Sequence, residues 1–164
     1  MGNNEVLKDI SDIFSMSQDK IIELFSLMEH SVDSEKINGW FASENDPKYL
    51  ECEDHELSIF LNGLICGLRG QKEGPLPEPD KKMTNNLILK KLKIALDLKN
   101  EDLQDLFESV GISMNKYELT GFLRKPDHKN YRFFKNQDLK AFFKALKRQE
   151  LLLEEDEVKD HQDS

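Results

Sequence analysis

The sequence predicts an all-α fold made by tandem duplication of a four-helix repeat, with the two copies packed as pseudo-symmetric halves. Three observations carry this. NNEVLKDISDIF from Asn3 aligns with NNLILKKLKIAL from Asn85, and the offset of 82 residues holds without a gap from Asn3/Asn85 to Leu64/Leu146. Apolar residues recur at the three- and four-residue spacing of a single helix face. No stretch alternates apolar and polar residues with the β-branched enrichment of a strand. Only twelve of the 62 aligned pairs are identical, among them Leu24/Leu106, Phe25/Phe107, Gly39/Gly121, Tyr49/Tyr131 and Phe60/Phe142. At that identity, the gapless run and the paired Asn-Asn starts are what argue for common descent.

The elements follow in order. The first helices carry Val6, Leu7, Ile10, Ile13 and Phe14, matched by Ile88, Leu89, Leu92, Ala95 and Leu96. The second carry Ile21, Leu24, Phe25 and Met28, matched by Leu103, Leu106, Phe107 and Val110. The third carry Ile37, Trp40 and Phe41, matched by Leu119, Phe122 and Leu123. The fourth carry Leu57, Phe60, Leu61 and Leu64, matched by Leu139, Phe142, Phe143 and Leu146. Asn115 with Glu118 three residues on reads as a capping box, and Asp33 is the equivalent cap. One Asn of each Asn-Asn pair suffices as an N-cap, and the other is expected to bond a neighbouring loop. Pro126 stops the third helix of the second repeat, and Pro47 sits just past its counterpart. Residues 3–69 and 85–149 are thus two repeats. Between them, residues 70–84 form a linker whose Pro75, Pro77 and Pro79 favour an extended strap. Leu151 to Leu153 extend the last helix, and residues 150–164 end as a mobile acidic tail.

Composition narrows the function classes. A chain of 164 residues can bury a real core but is too short for a TIM barrel. Two Cys cannot build a disulfide scaffold and fit a reducing, cytoplasmic setting. No apolar run approaches the roughly 18 residues of a membrane helix. The N-terminus lacks a basic-then-apolar leader, and its Met1-Gly2 start has Val6 where a myristoylation site needs Ser or Thr. The net charge of -9 argues against coating nucleic acid by bulk charge. That charge is unevenly divided: residues 1–70 carry -9, residues 85–149 carry +6 and residues 150–164 carry -6. Either the opposite halves attract each other, or the basic repeat meets an anionic partner for which the tail competes.

The runs NNLILKKLKIALDLKNEDL, ELTGFLRKPDHKNYR and DLKAFFKAL, with FLNGLICGLRG and the PLPEP linker, resemble the YehS-like bacterial proteins, the domain of unknown function 1456 family. The resemblance spans roughly Asn3 to Arg148. It implies a duplicated domain and no established activity. The family pattern often carries Cys in both repeats ahead of the fourth helix; here the first keeps Cys52 and its counterpart is Phe134.

Several constellations could carry chemistry. Cys52, Asp54 and His55 stand close enough to contribute to a zinc site, but a closed site needs four ligands and no second pair stands out, so no metal or cofactor is expected. Asp127, His128, Lys129, Asn130 and Tyr131 form the densest polar run. His128 with Asp127 and Tyr131 would be the acid/base centre if the protein were a small enzyme. Asn85 and Asn86 join Asp127, His128, Asn130 and Tyr131 as a candidate polar site. The segment DLQDLFESVGISMNKYELTGFLRK resembles a helix-turn-helix, with Lys116, Tyr117, Thr120 and Lys125 among its outer positions. In the first repeat the counterparts of Arg124 and Lys125 are Ala42 and Ser43. A nucleic-acid surface would draw on Lys90, Lys91, Lys93, Arg124, Lys125, Lys129 and Arg132. The expectation is a non-enzymatic cytoplasmic binding protein, its partner a protein or a nucleic acid and not a membrane. Nucleic-acid binding through the second repeat and catalysis at His128 are the alternatives.

Overall fold

The computed structural model describes residues 1–162, with side-chain environments through residue 150. Among the described residues there are eight α-helices and no strand: α1 Asn3–Ile13, α2 Gln18–Leu27, α3 Ser34–Phe41, α4 Asp54–Arg69, α5 Asn85–Ala95, α6 Asn100–Ser109, α7 Lys116–Leu123 and α8 Asn136–Gln162. They are the four helices of each repeat, in order. The chain forms two compact units, the first from Met1 to Lys99 and the second beginning at Asn100.

Duplication is visible in the backbone of each unit. Left-handed residues recur at the same offset: Ser15 and Asp97 end the first helices with φ of 50° and 53°, and Glu29 and Gly111 end the second with φ of 55° and 82°. The loop after the third helix folds back over a glycine in both, with Leu50 N–H donating to Gly39 O and Arg132 N–H donating to Gly121 O, each at 3.0 Å. A Cβ on Gly39 would lie 2.6 Å from Leu50 Cγ, and one on Gly121 would lie 2.9 Å from Asn130 O. This explains why the Gly39/Gly121 pair is identical while its neighbours drifted.

In the first unit, Phe25 of α2 stacks on Trp40 of α3 at 5.5 Å and meets Phe60 of α4 at 6.1 Å. α2 and α4 touch backbone to backbone at Gly63, where a Cβ would lie 2.1 Å from Leu24 O. α5 packs along α4. The packing boundary therefore falls at Lys99/Asn100, one helix later than the sequence boundary at residues 84 and 85. A polar latch holds this assembly. Asp80 of the strap accepts from Ser58 Oγ of α4 at 2.7 Å and pairs with Lys91 Nζ of α5 at 3.0 Å. Asp80 N–H donates back to Ser58 Oγ at 2.8 Å, and Lys91 Nζ also reaches Asn62 Oδ1 at 2.6 Å. Despite the burial of part of its carboxylate, bonds from Ser58 and Lys91 hold Asp80 below its ordinary pKa.

In the second unit, Phe107 of α6 meets Phe142 of α8 at 6.0 Å, and Phe122 of α7 meets Phe134 edge-on at 5.0 Å. Phe134 occupies the position of Cys52, and both are buried. The first repeat buries the large Trp40 and the small Cys52 where the second buries two phenylalanines, Phe122 and Phe134.

Two expectations about helix ends are corrected. Asn3 and Asn85 are the first helical residues and not the caps; Gly2 and Thr84 precede them, and Thr84 Oγ1 accepts from Leu87 N–H at 3.1 Å. The structure places a full capping box at Glu53/Glu56 of α4, while Asp33 and Asn115 cap α3 and α7 by accepting from Lys36 and Glu118 N–H. α8 also runs past Leu153 to Gln162, because the acidic stretch holds no Gly or Pro to stop it. The side chains of that stretch, and residues 163–164 altogether, lie outside the described residues.

Candidate nucleic-acid interface

The site is built on α7. Asn115 starts the helix, Leu119 and Phe122 turn inward as its buried face, and Gly121 is buried beneath the return loop. Tyr117 and Arg124 are left outside, with Thr120 half-buried and its hydroxyl donating to Lys116 O at 2.7 Å. Arg124 is the C-cap, and residues 124–132 then return across Gly121, where a Cβ would lie 2.8 Å from Arg132 Cγ. The loop is braced from within. His128 N–H donates to Lys125 O and Tyr131 N–H to His128 O, both at 3.0 Å. The His128 ring faces Asn130 N–H at 2.9 Å from Nδ1 and Arg124 Nη1 at 3.1 Å from Nε2. A neutral imidazole has one acceptor nitrogen, so it takes one of these two bonds at a time.

Arg124, Lys125, Lys129 and Arg132 are all exposed. The segment 124–132 contains one carboxylate, Asp127, which is exposed as well. Two aromatic residues flank them: Tyr117 is 87% exposed and Phe133 57% exposed. Phe133 was not singled out from the sequence. The signal was available, since its counterpart is Glu51 and it breaks the inward pattern between exposed Arg132 and buried Phe134.

The seven cations named from the sequence do not form one set. Lys90, Lys91 and Lys93 belong to the first unit, on diverging faces of α5. Lys90 is exposed. Lys91, only 12% exposed, is turned inward to Asp80 and Asn62. Lys93 is half-buried beside a cleft of about 650 Å³. That cleft lies between α4, the strap and the end of α5, and includes Ile65, Cys66, Leu76 and Ile94. Arg69 and Asp97 pair at 3.3 Å on its wall, which leaves it little net charge to select a ligand.

The polar-site residues are also divided. Asn86 is buried and Asn85 half-buried, and both have polar partners. Their first-repeat counterparts show what such a pair does. Asn3 Nδ2 donates to Cys52 O and to Asp54 Oδ1 at 3.0 and 2.6 Å. Asn4 Nδ2 donates to Trp40 O and Leu50 O, while its Oδ1 accepts from Cys52 N–H at 2.8 Å. The pair stitches helix α1 to the loop before α4. Asp127, His128, Asn130 and Tyr131 stay together in the braced loop.

The Cys52, Asp54 and His55 run separates. Cys52 is buried, and desolvation pushes its thiol up to about 12. Asp54 accepts from Asn3 and from Met83 N–H at 3.0 Å. His55 instead approaches Glu53 at 3.3 Å, close to Glu56. Glu56 is already committed to Lys36 Nζ at 2.7 Å and to Glu53 N–H at 3.0 Å. Among the described residues, no helix is long and apolar enough to cross a membrane.

Comparison with known proteins gives a family and no activity. The chain is 33% identical over 147 residues to the "Uncharacterized protein YehS" of Escherichia coli (strain K12), covering 89% of this chain and 94% of that protein. No solved structure matches. The family described as "Protein of unknown function (DUF1456)" matches twice, at residues 3–70 and 85–150, one match on each repeat. With both repeats matched and the relative covered almost end to end, the chain belongs to the DUF1456 family.

Proposed function

We propose that the chain is a non-enzymatic, cytoplasmic binding protein whose binding surface is the basic face of the second unit, with nucleic-acid backbone as the bound anion. The observation that carries this reading is segment 124–132, where four exposed cations accompany one carboxylate on a braced loop. Clustered exposed cations gain affinity for phosphates by releasing the nucleic acid's condensed counterions. The residues suited to catalysis support binding over chemistry. The His128 ring accepts from one loop donor at a time, Asn130 N–H or Arg124 Nη1, and Asp127 lies exposed. The free Cys52 and Cys66 fit a reducing compartment.

Titrating labelled DNA and RNA into the full-length protein at low salt tests the proposal. Binding should be salt-sensitive and largely independent of sequence. Arg124→Glu with Lys125→Glu should weaken it, each lost phosphate contact lowering the log–log salt slope by roughly 0.7 to 0.9. Absence of binding up to roughly tens of micromolar, the range of ordinary non-specific affinities, ends the proposal.

A further inference from the structure

We infer that this face selects single-stranded over duplex nucleic acid, by stacking a base on Tyr117 while the cations of segment 124–132 hold the adjoining phosphates. The inference rests on the nucleic-acid reading proposed for the same site and adds the class of strand. Tyr117 is 87% exposed, more than any other large apolar side chain among the described residues. Its ring offers a free face on the same side of α7 as the charge. At about 100° per residue, positions 117, 121 and 124 fall within roughly 60° of arc. Position 121 is the glycine that the stem of Arg132 covers, with Cγ and Cδ 2.8 and 2.9 Å from where a Cβ would sit. The line along the helix therefore runs from an aromatic ring, over the stem of Arg132, to Arg124. It is about 10 Å long at 1.5 Å per residue. Phe133, 57% exposed and next to Arg132, adds a second ring at the same segment.

A base inside a duplex has both faces covered by its neighbours, so a protruding ring gains contact there only by unstacking the helix. An unpaired base presents its face freely, and aromatic stacking then discriminates in favour of the single strand whatever the base. The sister unit shows that the fold does not need these side chains. The same loop bond forms at Gly39 as at Gly121, yet the counterparts of Tyr117, Arg124, Arg132 and Phe133 are Glu35, Ala42, Leu50 and Glu51. One backbone carries an acidic and aliphatic face in the first repeat and an aromatic and cationic face in the second.

The experiment compares labelled oligo-dT, oligo-U and a mixed-sequence duplex of equal length by fluorescence anisotropy, using the full-length protein at low salt. The single strands should bind at least roughly fivefold tighter than the duplex, the smallest factor that one stacked base supplies. Tyr117→Ala should remove that preference while leaving the salt slope unchanged, because a ring contributes no counterion release. Tyr117→Phe should retain the preference. Arg124→Glu with Lys125→Glu should weaken single strand and duplex together and lower the salt slope. Equal binding of single strand and duplex, or an unchanged preference in Tyr117→Ala, overturns the stacking inference and leaves the anion-binding reading standing. No binding to any of the three overturns both.

Discussion

Replacing Asp80 with Ala removes the centre of the latch that joins strap, α4 and α5. Its carboxylate takes a bond from Ser58 Oγ at 2.7 Å and from Lys91 Nζ at 3.0 Å. Hydrogen bonds to a charged group contribute about 1.5–3 kcal/mol, and breaking a buried pair costs about 3–5 kcal/mol through the charge left behind. Lys91 is 12% exposed, so its ammonium would be stranded with Asn62 alone. Asp80 is 34% exposed, however, so water can enter from its side, and the cost is discounted to about 2–3 kcal/mol. For a cooperative unit of about 100 residues that lowers Tm by roughly 10–20 °C. Thermal and urea unfolding followed by circular dichroism measure it. Lys91→Met should cost less, and the double variant Asp80→Ala/Lys91→Met should cost less than the sum, since the stranded charge is gone. The pH dependence has a definite sign. A carboxylate held below its ordinary value of 3.8 contributes stability above that value, and the contribution is lost as pH falls through the folded-state pKa. The gap between wild type and Asp80→Asn should thus be constant near neutrality and close below about pH 4. Strictly additive single variants, or an Asp80→Ala cost under about 0.5 kcal/mol, would refute the latch as a source of stability.

Gly63→Ala should destabilise the first unit by about 3 kcal/mol or more, read by urea unfolding, because the new Cβ meets the Leu24 carbonyl and the helices must part. Gly67→Ala is the control: its nearest neighbour is the flexible end of Leu24 at 3.1 Å, so little stability should be lost. Glu29→Gly, which copies Gly111, should add about 0.5–1 kcal/mol by relieving a left-handed residue with φ of 55°. The Cys52 thiol, raised from 9.0 to about 12 by burial, stays protonated in the fold while the unfolded chain ionises, so its contribution is present below 9 and lost as pH rises toward 12. Cys52→Ala should flatten alkaline unfolding curves, and iodoacetamide at about pH 8 should modify Cys66 alone in the native protein.

The helices were legible because each carries an apolar stripe twice, and 82 residues of offset align the stripes. Loop chemistry was less legible. The Asn-Asn pairs read locally as caps, yet Asn3 and Asn4 act on residues 36 to 51 positions away. Nothing local marks Asp80 in the Pro-rich linker, because its partners Ser58 and Lys91 lie on two different helices. Lys91 looked like surface for the same reason. Tyr117 could be placed on the outer face by periodicity, but its degree of exposure depends on what the return loop covers, and that loop covers Gly121 instead.

The packing of α5 along α4 also has a consequence in time. A ribosome delivers the chain from its N-terminus, so α4 is complete at Arg69 while its partner helix and the turn after it end only at Lys99. At roughly 5–20 residues per second, those thirty residues take about two to six seconds. During that interval the flank of α4 that α5 will cover has no native neighbour. The first unit can complete its packing only once the second repeat's opening helix has been made.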